Sequence, residues 1–107
     1  MAASQGGDSF EVRARGLLSS GDADGAKEML AMALVVYPRS RPLRSLYYLA
    51  SALVALGTQQ HILAISQLEA ALAHDEQCRE AQLLLDCMQR QQPVDTKVLT
   101  EVFGVYG

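Results

Sequence analysis

The chain has 107 residues, half of them apolar, with a net charge of −3 and a pI near 5.2. That is one domain with enough apolar content for a core, and its acidic balance argues against a nucleic-acid footprint. Trp is absent and aromatics make up only 6%, so the core falls to Leu, Ala and Val, a mixture that suits close-packed helices better than sheets.

Residues 1–8 are small, polar and Gly-rich and read as a disordered tail. Asp8 or Ser9 then caps a first helix that runs to Ser20, with Phe10, Ala14, Leu17 and Leu18 at helical spacing. Gly21 supplies the positive φ that stops it, and Asp22 starts the next. The second helix spans 23–36. Ala26, Leu30 and Ala33 share one face, and Met29, Met32 and Val36 widen it. Pro38 and Pro42 bracket a turn that carries Arg39 and Arg41. The third helix, 43–56, is the most apolar and therefore the one expected at the centre. Gly57-Thr58 ends it. A fourth helix over 60–73 turns Ile62, Ile65, Leu68, Ala71 and Leu72 inward. Asp75 caps a fifth over 77–91 with Ala81, Leu84, Leu85 and Met88 inside, and Pro93 stops it. A short sixth helix, 95–103, groups Val98, Leu99, Val102 and Phe103. No segment alternates for long enough to make a strand, and the short connections make consecutive helices antiparallel neighbours.

Charge is uneven along the chain. Residues 1–50 hold six basic and five acidic groups, whereas residues 51–107 hold three and seven. Cys78 and Cys87 are nine apart, which fits neither a disulfide framework nor a zinc spacing; on one helix they would sit roughly 13 Å apart along its axis. Free thiols, with no basic flank or apolar stretch at the N-terminus, point to a cytoplasmic, reducing compartment, with peripheral attachment to an organelle compatible. The longest apolar stretch, Leu46 to Leu56, is too short for a membrane span.

One pattern occurs twice. Phe10, Ala14, Leu17, Gly21, Ala26, Leu30, Ala33 and Pro38 are matched by Leu46, Ala50, Leu53, Gly57, Ala64, Leu68, Ala71 and Glu76. These residues resemble the tetratricopeptide repeat, whose units pair two helices around small residues. Repeat one covers 9–40, repeat two 43–76, and a degenerate capping unit 77–103. Arg13 stands where Leu is usual, Leu17 and Leu53 replace an aromatic, and Glu76 replaces the closing Pro. The resemblance implies an all-α fold in which antiparallel hairpins stack as a short right-handed solenoid of five to six helices. Ala14, Ala26, Ala50 and Ala64 would let the helix backbones approach.

The resemblance further implies a protein-binding groove lined by the first helix of each unit: Glu11, Arg15, Leu18, Arg44, Tyr47, Tyr48, Ser51 and Val54. Tyr and Arg are frequent interface hot spots, which singles out Tyr47 and Tyr48 as anchors, with Arg15 and Arg44 for charge pairing. Members that hold chaperone C-terminal carboxylates use basic and Asn side chains at places filled here by Glu11, Arg15, Tyr48, Glu80 and Leu84, so that use is not expected. The seam Val98, Leu99, Val102, Phe103 and the following Tyr106 form an apolar end, expected either to fold back or to support assembly. Tyr47 and Tyr48, within Leu46-Tyr47-Tyr48-Leu49-Ala50, are also similar to mitochondrial fission adaptors. The first copy resembles the helical hairpin of some J-domain co-chaperones, although no His-Pro-Asp motif follows.

Chemistry has little support. Asp22-Ala23-Asp24-Gly25 lacks the flanking carboxylates of a calcium loop, with Ser20 and Ala31 at the places that matter. His61 and His74 lie at opposite ends of one helix, and neither thiol has a nucleophile motif. No phosphate-binding or hydrolase motif occurs. The expectation is a non-enzymatic adaptor or scaffold without cofactor or metal. It would bind protein partners, either in a larger complex or as a homo-oligomer. Helical-repeat RNA binding is the rival from another class.

Overall fold

The computed structural model describes the backbone of residues 2–103 and the side chains from Ser9 onward, Thr96 excepted. Six α-helices follow one another: α1 (Ala2–Ser19), α2 (Ala23–Val36), α3 (Arg41–Gly57), α4 (His61–His74), α5 (Arg79–Gln89) and α6 (Thr96–Phe103). No strand occurs among the described residues, so the fold is all-α.

Local chemistry explains most boundaries. Gly21 takes a φ of +88°, and the Asp22 N–H donates back to the Leu17 carbonyl at 2.8 Å. The Asp22 carboxylate then accepts from the Gly25 N–H at 2.9 Å and caps α2. Ser40 does the same for α3, its hydroxyl accepting from the Leu43 N–H at 3.3 Å. Three boundaries differ from expectation. The backbone of α1 is helical from Ala2, not from Ser9; two glycines weaken that turn by up to about 1 kcal/mol each, but no Pro forbids it. Pro42 lies inside the first turn of α3 instead of closing the turn before it, because its missing N–H is one that a first turn leaves unpaired anyway. Asp75 does not cap α5. Its carboxylate accepts from the Gln77 N–H at 3.1 Å in a local turn, and Cys78 occupies the cap position.

Packing follows the small residues. Ala14, Ala26, Ala33, Ala50, Ala64, Ala71 and Ala81 are all fully buried, so helix backbones approach with methyl groups between them. The central place expected for α3 is the one it takes: it touches α1, α2 and α4. Next in the series, α4 meets α5, and α6 turns back onto both α5 and α1. The chain is thus closed on itself, with a radius of gyration of 12.9 Å.

Three apolar residues expected inside are not. Ile62 is 87% exposed, Met32 71% and Val36 63%. The buried stripe of α4 is Ala64, Leu68 and Ala71, and Ile62 lies roughly 200° around the helix from Ala64. On α2, Met32 and Val36 sit about a quarter-turn or more from the Ala26–Leu30–Ala33 stripe, too far to reach α1 or α3. The α6 seam goes the other way. Phe103 is fully buried, and Val98, Leu99 and Val102 pack against the core. An outward assembly face is therefore not what these four side chains form; they cover α1 and α5, and Tyr106 lies outside the described residues.

A tyrosine groove along helix α3

Helix α3 packs against α1, α2 and α4 and keeps one face open between α2 and α4. Tyr47, Ser51 and Val54 recur at intervals of four and three residues, which places them on one face, and all three are partly exposed. Helices α2 and α4 form the rims. The resulting groove, of about 360 Å³, is lined by Tyr47, Tyr48, Ser51, Val54, Ala55 and Thr58 from α3 and its cap, Lys27 from α2, and Gln60, Leu63 and Gln67 from the α4 side.

The tyrosines are held by their neighbours. Tyr47 and Tyr48 meet edge to face at 5.9 Å between ring centroids. Tyr48 stacks on His74 at the end of α4, with centroids 5.2 Å apart and rings nearly parallel. Arg41 fixes that end of α4 by donating from Nε to the His74 carbonyl at 2.8 Å. Across the groove, the Lys27 ammonium sits 5.8 Å from the centre of the Tyr47 ring, within cation–π range. Among the described residues Lys27 is the one charged group lining the groove, so its electrostatic bias is positive.

The eight residues expected to form a single wall separate into four places. Tyr47, Tyr48, Ser51 and Val54 are together in the groove. Arg44, at the start of the same helix, is exposed and donates from Nε to the Pro38 carbonyl at 2.8 Å. Glu11 and Arg15 lie elsewhere, on the side of α1 that faces α5. Arg15 Nε is 2.6 Å from Glu80 Oε2, and a second nitrogen of the same guanidinium is 3.5 Å from Glu11. Leu18 is 1% exposed and belongs to the core, because it follows Ala14 by four residues on the buried stripe of α1. The repeat pattern does not point to the rim residues Lys27, Leu63 and Gln67, because the resemblance puts the wall on first helices alone. An amphipathic plot offered one signal, since Leu63 falls off the Ala64–Leu68–Ala71 stripe.

A second polar cluster surrounds Glu80, which is almost fully buried. Its carboxylate takes Arg15 on one oxygen and a weak bond from the Cys78 thiol, 3.9 Å away, on the other. Burial pushes the Cys78 thiol up from its ordinary value, partly offset by hydrogen bonding to Ser45 and the Ala81 backbone. A thiol held protonated is a poor nucleophile. Ser45 donates its hydroxyl to the Ala71 carbonyl at 2.8 Å, tying α3 to α4. The cluster is a buried cross-link between helices. His61 and His74 stand at opposite ends of α4, and no cluster of His, Cys, Asp or Glu suited to a metal occurs among the described residues. No helix of the described residues is long and apolar enough to cross a membrane. Comparison with protein families, curated proteins and solved structures returns no match.

Proposed function

We propose that this chain is a non-catalytic protein-interaction adaptor, built from tetratricopeptide-like helical hairpins in a short solenoid. It grips a segment of another polypeptide along α3. The observation that carries this reading is the open face of Tyr47, Ser51 and Val54 between two rims. Tyrosines already ordered by His74 and Lys27 lose little freedom on binding, which favours them as anchors. The ligand is an extended or helical segment with an aliphatic side chain for the Val54–Ala55–Leu63 end. It carries an acidic group for Lys27, with Arg44 exposed at the start of the same helix. Arg15 has no part in this pairing, because Glu80 and Glu11 already engage it.

Panning a random-peptide display library against the immobilised full chain tests the reading. Enriched peptides should combine a carboxylate with an aliphatic residue, and should lose at least tenfold in affinity to a Tyr47→Ala, Leu63→Asp variant of unchanged helicity. Equal binding to that variant would remove the groove from the function.

A further inference from the structure

We propose that α6 is an exchangeable segment, and that two copies of this chain pair by each seating its α6 on the α1 and α5 helices of the other. The seat is made of different helices from the tyrosine groove, so the pairing stands independently of the proposed function.

The seat is specific for this helix. Phe103 is wholly enclosed, and Val98, Leu99 and Val102 line the same face at helical spacing. At eight residues, α6 is too short to be stable alone and depends on that seat for its structure. What holds it in its own chain is the segment from Arg90 to Asp95, and that segment is unfavourable in one place. Gln91 adopts a φ of +59°, the left-handed region that a side chain with a Cβ disfavours. In this conformation the Gln91 N–H donates to the Met88 carbonyl and the Gln92 N–H to the Cys87 carbonyl, both at 3.0 Å. These two bonds close the end of α5, and the chain leaving them leads α6 back to its own α1. Two clefts border the segment at Val94. A cleft of about 190 Å³ lies between Val94, Leu99 and the Leu18–Leu53–Leu56 surface. Another, of about 350 Å³, lies between Pro93, Val94 and the Leu56–Ile65–Met88 surface. If Gln91 relaxes to negative φ, the chain leaves α5 in a new direction and α6 reaches away from its own seat. A second copy then offers the identical seat and recovers every α6 contact, while the strain at Gln91 is relieved. Exchange of this kind needs no new interface, and a short hinge under strain favours it.

The tether sets the scale. A short linker gives an effective concentration on the order of millimolar, and relief at Gln91 lowers the concentration at which exchange competes. The wild-type chain should pass from monomer to dimer at roughly a few hundred micromolar, measured by light scattering after slow equilibration. Gln91→Gly accepts the positive φ without strain and should shift this midpoint several-fold higher. Gln91→Pro cannot adopt positive φ and lacks the N–H given to Met88, so closure in one chain is blocked; this variant should be a dimer at low micromolar concentration. Phe103→Ala, added to Gln91→Pro, should return it to monomer. A helical, monomeric Gln91→Pro chain would overturn the proposal, as would a dimer indifferent to Phe103→Ala. If Gln91→Pro does not fold, equal dimer fractions in wild type and Gln91→Gly overturn it equally.

Discussion

Arg15 joins helices whose contacting residues are 65 positions apart in sequence. Its partner, the Glu80 side chain, is 8% exposed, and Arg15 itself 20%. Burying a carboxylate is costly unless a cation and hydrogen bonds accompany it, so removal of the cation is felt more than removal of the pair. Arg15→Ala should therefore destabilise the chain by about 2 kcal/mol, at the lower end for a buried pair because the guanidinium still meets water. Arg15→Met with Glu80→Leu should lie within about 1 kcal/mol of the parent. Urea unfolding of the three chains checks both statements. A double variant as unstable as the single would mean that the carboxylate contributes through something other than Arg15. Neither partner's role was legible in the sequence. Arg15 was expected on the groove wall and Glu80 was not, and only the fold brings them into contact.

Among the helices, alanine decides how closely neighbours pack. Ala50 and Ala64 have no exposed surface, so a larger side chain at either must displace its neighbours. Ala50→Leu should cost about 2 kcal/mol by overpacking, whereas Ala73→Leu, on the exposed side of α4, should change stability by less than about 0.5 kcal/mol. Thermal unfolding followed by circular dichroism distinguishes them, and equal midpoints would deny alanine this role. The elements were largely readable because their punctuation is chemical: Gly21 for a positive φ, Asp22 for capping, Pro93 for a stop. Buried stripes built on Ala and Leu at intervals of three and four were readable for the same reason. What escaped was angular position. Apolar identity placed Ile62, Met32 and Val36 inside, yet an apolar side chain a quarter-turn or more off the stripe stays largely exposed. Leu18 was assigned to a wall by analogy with a repeat, although its spacing from Ala14 placed it in the core. The groove was half legible. Tyr47, Ser51 and Val54 share a face by count alone, but Lys27 and Leu63 join them only because α2 and α4 flank that face.

At the scale of the molecule, the contact between α6 and α1 has a thermodynamic result. A series of hairpins joined only to their neighbours unfolds piecewise more readily than one whose last helix covers the first. The radius of gyration of 12.9 Å equals that of a compact globule of this length, about 13 Å. Urea unfolding at low micromolar concentration should give a single transition, coincident by far-ultraviolet circular dichroism and by tyrosine emission. Separated transitions would show that the two halves stand alone. The groove adds a practical consequence. The chain has no Trp and only four Tyr, and two of those line the groove in edge-to-face contact, one of them stacked on His74. Its near-ultraviolet optical activity should therefore include a strong contribution from the surface where a ligand would lie, beside that of Tyr37 against Phe10. Occupancy at that surface announces itself through an intrinsic chromophore, with no dye attached and no residue changed.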